Sequence, residues 1–423
     1  MEYTRIEDID FADLLRPGER IVVGQALSEP LTLTRRLMGA RSVPPGCTAF
    51  LGPVYSDTFS APPPEGLSFE SYGAIGKAAA LAHAGRLDVI PWHYSALSAA
   101  FGDGSLRADC VLLQVAPGTG QEGFIAGLSN DYALQAARRA RLVIAEVNPD
   151  VPPTPGGALP SDIAIHILVK ARHAPQTFAA PVPGPVEKSI AANVAALIPD
   201  RGVLQFGVGT IPQAVLAGLG NHRDLGVHSG VALDGMIDLI ASGVITNAHK
   251  EIDAGISVAG LLVGSRRLFD FAGASGLIRL APAAHTHGLA TIGRISRFCA
   301  INSAVEVDLT GQVNAETAAG RYVGAVGGQV DFVRGANASA GGRAIIALPS
   351  TASGGTVSRI VSTVSTVTCA RSDVDAIVTE WGTAELRGLT LAQRAEAMIR
   401  IAAPQFRDGL ARDWRDAGKG RND

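Results

Sequence analysis

Short runs of β-branched and aliphatic residues alternate along this chain with Ala- and Leu-rich stretches of helical length. That alternation restricts the fold more than any other feature, because a strand followed by a helix and another strand makes a βαβ unit and a parallel sheet. The spacing predicts strands at Arg20-Ile-Val-Val-Gly, Cys110-Val-Leu-Leu-Gln-Val, Leu142-Val-Ile-Ala-Glu-Val, Val203-Leu-Gln-Phe, Ala344-Ile-Ile-Ala-Leu and Ala376-Ile-Val-Thr-Glu. It predicts helices over 31–38, 132–140, 191–197, 212–219, 235–241 and 391–402. Three prolines in Ala180-Pro-Val-Pro-Gly-Pro-Val-Glu read as a stiff connector. The charged tail from about Arg412 reads as frayed.

The halves of the chain repeat weakly. Ile21-Val-Val-Gly-Gln-Ala-Leu-Ser-Glu-Pro30 pairs with Val203-Leu-Gln-Phe-Gly-Val-Gly-Thr-Ile-Pro212, each a strand, a small-residue turn and a proline opening a helix. Val111-Leu-Leu-Gln-Val-Ala-Pro117 pairs with Ile345-Ile-Ala-Leu-Pro349, and Leu142-Val-Ile-Ala-Glu146 with Ala376-Ile-Val-Thr-Glu380. Matches in one order favour an α/β protein of two similar domains with mostly parallel sheets, divided as 1–185 and 186–423.

Composition narrows the function classes. A chain of 423 residues, 47% hydrophobic and 18% charged, has room for large cores. Its net charge of -3 gives no general attraction to nucleic acid or anionic membrane, so any phosphate site must be local. No apolar run reaches the ~18 residues of a membrane span, and Met1-Glu-Tyr-Thr-Arg-Ile-Glu-Asp is too charged for a secretory signal. Cytoplasmic location is the expectation. Cys47, Cys110, Cys299 and Cys369 are far apart and read as buried free thiols. His285-Thr-His287 is the closest histidine pair, and without a third nearby ligand it reads as a loop or strand end rather than a metal site. No metal is expected.

Four segments can carry chemistry. Phe206-Gly-Val-Gly-Thr-Ile-Pro212 runs from a strand through a Gly-x-Gly turn into a helix, with Thr210 a candidate N-cap and Pro212 in the first turn. Glycines admit close approach of an anion to backbone N–H groups at a helix N-terminus. The same residues also suit a tight turn that binds nothing. Gly118-Thr-Gly-Gln-Glu-Gly123 fits a dinucleotide fingerprint, but the capping set Ser129-Asn-Asp131 starts its helix too late, so neither nicotinamide nor flavin is expected. Gly324-Ala-Val-Gly-Gly-Gln329 places paired glycines beside a side-chain amide that can donate to a carbonyl or phosphate, or forms an ordinary loop. Pro349-Ser-Thr-Ala-Ser-Gly-Gly-Thr356 opens a strand end into hydroxyls and glycines. Ligands of open α/β sheets sit at strand carboxyl ends, so these loops are expected to converge on one cleft.

Together, Gly207-Val-Gly-Thr-Ile-Pro-Gln-Ala-Val-Leu, Asp234-Gly-Met-Ile-Asp-Leu-Ile-Ala-Ser-Gly-Val-Ile-Thr-Asn247, Val326-Gly-Gly-Gln-Val-Asp-Phe332 and Leu348-Pro-Ser-Thr-Ala-Ser-Gly-Gly-Thr-Val-Ser-Arg-Ile360 resemble the acetyl-CoA hydrolase/CoA-transferase family. The likeness is to its single-chain form, the 4-hydroxybutyrate and butyryl-CoA:acetate CoA-transferases. It continues through Asp373-Val-Asp-Ala-Ile-Val-Thr-Glu-Trp-Gly-Thr-Ala-Glu-Leu-Arg-Gly388 to Pro404-Gln-Phe-Arg-Asp408. The resemblance implies a tandem of two α/β domains, homodimers or higher oligomers, and coenzyme A held between the domains. It implies CoA contacts from Gly207, Val208, Gly209, Thr210, Ile211, Gly327, Gly328 and Gln329. It also implies acyl-CoA and carboxylate substrates and a ping-pong route through a glutamyl-CoA thioester.

The family nucleophile follows a strand in a His-Thr/Ser-Glu run before Asp-Gly. The matching segment is Leu225-Gly-Val-His-Ser-Gly-Val-Ala-Leu-Asp-Gly235, which puts Gly230 where the glutamate belongs. Glycine forms neither anhydride nor thioester. Three readings follow: CoA transfer through another carboxylate such as Glu251 or by direct attack of the acceptor; hydrolysis or other acyl-CoA chemistry with His228 or His249 as base; or a CoA-binding protein without transferase chemistry. His228 also reads as a strand-end hydrogen-bonding group, Ser229 as structural, and Glu251 as a solvent-facing residue beside Lys250. Glu380 and Glu385 match family positions without a role that the sequence assigns.

Overall fold

A computed structural model describes residues 2–118 and 123–419. The first sheet runs, in spatial order, Tyr3–Thr4, Ile167–Lys170, Leu142–Val147, Cys110–Pro117, Arg20–Val23, Ser42–Leu51, Glu65–Ser71 and Asp88–Val89, with every neighbour parallel. Phe124–Ile125 adds an antiparallel partner to Cys110–Pro117. The second sheet runs Gly226–Val227, Val203–Phe206, Phe298–Ser303, Arg343–Ala347 and Ala376–Thr379, all parallel, and closes on the antiparallel Gly382–Glu385.

Both sheets are covered on both faces, which is why their strands are apolar throughout rather than alternating. Ile21 and Val23 enter one core while Val22 enters another. In the second sheet Leu204 and Phe206 face one core and Val203 the other. The six expected strands all form. Of the expected helices, Leu31–Met38 and Gly235–Ala241 form as read, Tyr132–Ala137 ends earlier, and Pro185–Ala195 starts earlier. That early start follows from Pro185 in the first turn and Glu187, whose carboxylate accepts the Gly184 N–H at 2.9 Å.

The repeat is real in plan and partly wrong in register. Each half winds outward to both sides of a first central strand, Arg20–Val23 in one and Val203–Phe206 in the other, so that pairing holds. Beyond Gly226–Val227, a parallel bridge from His228 to Val258 leads on to the parallel pair Ser257–Ala259 and Ile278–Leu280, which occupy the side taken by Glu65–Ser71 and Asp88–Val89 in the first half. Cys110–Pro117, however, adjoins Arg20–Val23, whereas Phe298–Ser303 separates Arg343–Ala347 from Val203–Phe206. The other two pairings are therefore displaced by a strand. Buried parallel strands share one aliphatic vocabulary, and Phe298-Cys-Ala-Ile-Asn-Ser303 is the member that the sequence comparison passed over.

The tail is a second correction. Pro404–Lys419 is helical. Phe406, Leu410 and Trp414 recur at four-residue spacing and pack on the second core, so the tail that charge alone marks as frayed is helical as far as 419, and 420–423 lie outside the described residues. Hydrogen bonds stitch the halves together: Ala74 N donates to Gly324 O (2.8 Å), Tyr94 N to Gly327 O (2.9 Å) and Asn130 N to Gly260 O (2.9 Å). Ser95 donates through N and Oγ to the Asp331 carboxylate at 3.0 and 2.6 Å. Among the described residues no helix is long and apolar enough to cross a membrane.

Candidate active site

A cleft of about 450 Å3 lies between the two sheets. Strand carboxyl ends from both halves supply its walls: Ala26 after Arg20–Val23, Pro53 and Tyr55 after Ser42–Leu51, Tyr72 after Glu65–Ser71, Gly207 after Val203–Phe206, and Ala304 after Phe298–Ser303. This is where open parallel sheets leave unpaired backbone groups and room between crossover helices. No Asp, Glu, Lys or Arg occurs among the described residues that line it.

The expected CoA contacts divide. Gly207, Val208, Gly327, Gly328 and Gln329 line the cleft, as does Gly230. Gly209, Thr210 and Ile211 do not; the cap is Gly209 rather than Thr210, because φ is +143° there and helical geometry begins at Thr210. Gln329 opens the helix Gln329–Ala338, and its Nε2 is buried without a hydrogen-bond partner. The Pro349–Thr356 run does not reach the cleft. Thr351–Ala352 folds back on Val357–Ser358, while Ser350 N and Oγ are taken by the Glu380 carboxylate at 2.8 and 2.6 Å. Glu385 pairs with Arg343 at 3.0 Å, so neither glutamate serves the cleft. Within the dinucleotide-like run, 119–122 lie outside the described residues. Asp131 caps the next helix by accepting Ala133 N at 2.8 Å, as the spacing implies.

The histidine pair separates. Its short helix, Ala283–Thr286, sends His285 toward Asp253 and leaves His287 at the helix end, on the cleft. The His287 ring lies between Tyr94 and Phe332, with centroids 4.7 and 4.4 Å away. Its Nδ1 is 2.8 Å from Thr286 Oγ1, which is 3.3 Å from Pro282 O. Among the described residues Nε2 forms no hydrogen bond. Two glycines make room for it: a Cβ at Gly328 would stand 2.6 Å from Nε2, and a Cβ at Gly230 would stand 3.1 Å from the same atom. Burial, reinforced by nearby His228, pushes the His287 pKa down to about 3. The ring is neutral at physiological pH.

The other candidate bases stand elsewhere. His228 is fully buried behind the cleft and donates Nε2–H to His285 O at 3.1 Å, leaving Nδ1 unpaired. Burial, then the positive charge of Lys250, lowers its pKa to about 4. Glu251 is exposed and accepts Ser296 N at 3.2 Å; His249 is exposed and 3.6 Å from Asp224. Neither lines the cleft. Ser229 is buried and donates to Phe206 O at 3.2 Å, a structural contact. His228, Asp253 and His285 do hold ligand atoms within 4.8 Å of one another. Asp253 is already shared between Arg279 and His285, and Lys250 faces the trio, so a cation there would meet two like charges.

The sequence reading missed Tyr72, Tyr94, Gln25, Phe332, Gln205 and Asn302. Gln25 ties the first two together, donating Nε2–H to Tyr94 OH at 2.7 Å and accepting Tyr72 O–H at 3.0 Å. Gln205 and Asn302 exchange amide hydrogen bonds of 3.2 and 3.0 Å across adjacent strand ends. A polar residue in an otherwise apolar buried strand, as at Gln205 and Asn302, was the available signal.

Comparison with known proteins identifies relatives of this chain. The family model described as the acetyl-CoA hydrolase/transferase C-terminal domain matches residues 264–414. A 4-hydroxybutyrate coenzyme A transferase of Clostridium kluyveri is 41% identical over 337 residues, 79% of this chain and 78% of that protein. A butyryl-CoA:acetate CoA-transferase of Anaerostipes caccae is 34% identical, with 78% of each chain covered. The crystal structure of RipA from Yersinia pestis matches with a TM-score of 0.88 at 30% identity, over 96% of this chain and 95% of that one. The chain belongs to the acetyl-CoA hydrolase/CoA-transferase family and is an acyl-CoA-processing enzyme.

Proposed function

We propose that the inter-sheet cleft receives the thioester end of an acyl-CoA and that the enzyme breaks the thioester there, with water or a second carboxylate as the acceptor. The observation that carries this reading is the cleft itself: strand carboxyl ends of both halves, an unpaired amide donor at Gln329 and a His287 ring whose Nδ1 is bonded and whose Nε2 is not. On this reading Gly207 and Gly327 let backbone approach the pantetheine arm, and the unpaired Gln329 Nε2 donates to a carbonyl oxygen, which their presence on the cleft supports. The cleft wall is apolar at Val208, Val231, Leu261, Val263 and Ala304, which suits an uncharged acyl chain. The glutamyl-CoA route of the family needs a carboxylate at 230, where this chain has glycine.

On this reading 1–185 and 186–423 are the two domains, and a homodimer or higher oligomer is the assembled form; light scattering tests the latter. Function is tested by titrating CoA and butyryl-CoA into the protein by calorimetry and following thiol release with and without acetate. Binding with thiol release supports the reading. No binding of either compound refutes it.

A further inference from the structure

The space beside Gly230 is not empty. A Cβ at Gly230 would stand 3.1 Å from His287 Nε2 and 3.2 Å from Cε1, and both residues line the cleft. At the position where the sequence resemblance implies the family's glutamate, this chain sets the His287 imidazole, from a different loop, against the backbone of Gly230. Because the described lining contains no carboxylate, no substitute exists there for a glutamyl-CoA thioester. It contains no cation either, so nothing in it pairs with the charge of an acceptor acid.

We propose that His287 is the catalytic base of a thioester hydrolysis, its Nε2 taking the proton of a water that attacks the acyl-CoA. This rests on the acyl-CoA reading of the cleft given above. The orientation is built in. Thr286 O–H donates to Pro282 O (3.3 Å), so Thr286 Oγ1 accepts His287 Nδ1–H (2.8 Å) and the lone pair is left on Nε2, facing the cleft. Tyr94 and Phe332 hold the ring plane. The water oxygen bonds to the thioester carbon as its proton passes to Nε2, and the carbonyl oxygen gains charge opposite Gln329 Nε2. The C–S bond then breaks, and Nε2–H returns the proton to the thiolate. Water and acyl-CoA are consumed; the free acid and CoA thiol are formed.

The test uses the full chain with butyryl-CoA. His287→Asn keeps a planar polar group of smaller size and removes the base; thiol release is expected to fall by roughly 10²-fold, the low end for a general base because the depressed pKa weakens Nε2 as a proton acceptor, while CoA binding by calorimetry stays within about threefold. In His287→Ala the slot between Gly230 and Gly328 is open, and added imidazole is expected to restore thiol release in proportion to its concentration. Thr286→Val, which removes only the positioning hydroxyl, is expected to lower kcat with KM unchanged. Thiol release by His287→Asn at near wild-type rate, with CoA still bound, overturns the proposal. Failure of the wild type to bind CoA overturns instead the reading on which it rests.

Discussion

Gly328→Ala tests how tightly the His287 slot is built. The added methyl carbon would begin 2.6 Å from both Nε2 and Cδ2 of His287 and 3.3 Å from Phe332 Cε2. Carbon atoms rest at about 3.5–4.0 Å from their neighbours, so the ring must retreat by roughly 1 Å. Tyr94 and Phe332, with ring centroids 4.7 and 4.4 Å away, leave it little room. Gly328 itself has φ −90° and ψ 0°, a conformation alanine adopts, so the penalty is overpacking alone. Overpacking of this kind costs about 1–3 kcal/mol, and a 1 Å displacement of a reacting group costs roughly 10²-fold in rate. Gly230→Ala makes a milder clash at 3.1 Å and should lose less of both stability and rate. Denaturant unfolding and thiol release from butyryl-CoA, measured on both variants, check the ranking. A Gly328→Ala protein with wild-type unfolding and turnover would refute the slot.

Stability should fall on acidification below about pH 6.5, the ordinary histidine pKa. Burial depresses His287 to about 3 and His228 to about 4, so the unfolded chain takes up protons that the fold refuses, and the loss continues down to those values. At about 1.4 kcal/mol per pH unit, His228 alone accounts for roughly 3 kcal/mol by pH 4. Unfolding midpoints at pH 7, 5.5 and 4.5 should converge between wild type and His228→Asn; parallel curves would contradict this. Glu251→Gln and His249→Ala should leave thiol release within about twofold, because neither touches the cleft; a large loss in either would relocate the chemistry. Asp331→Ala orphans Ser95 N and Oγ at the seam between the halves and should cost about 1–3 kcal/mol in unfolding. Glu146→Ala should cost at least as much, since its carboxylate accepts Thr32 N at 2.8 Å, Thr32 Oγ1 at 2.9 Å and Leu33 N at 3.2 Å at the start of Leu31–Met38; an unchanged midpoint would contradict the cap.

The parallel-sheet architecture was legible because apolar strands and capped helices are local signals. Leu142–Val147, buried at every position, announces itself by composition. Strand order did not follow, since Phe298–Ser303 reads like any other core strand yet inserts between Val203–Phe206 and Arg343–Ala347. Glycines at 207, 327 and 328 pointed to the cleft because they mark places where backbone is left open. His287 did not, because its significance lies in contact with Gly230 and Gly328, far away in the chain. Judged by its own neighbours it was half of a histidine pair without a third ligand. Glu251 is exposed, as its solvent-facing reading beside Lys250 has it, and His249 is exposed too; neither lines the cleft.

The most direct measurement is hydrolysis of butyryl-CoA in 18O-labelled water with no carboxylate acceptor, followed by mass spectrometry of the acid and of the intact protein. The account predicts one labelled oxygen in the released acid, CoA thiol in equal amount, and a protein mass unchanged throughout turnover. Thiol release only when a carboxylate is added, with a CoA-sized adduct on an Asp or Glu, would contradict it.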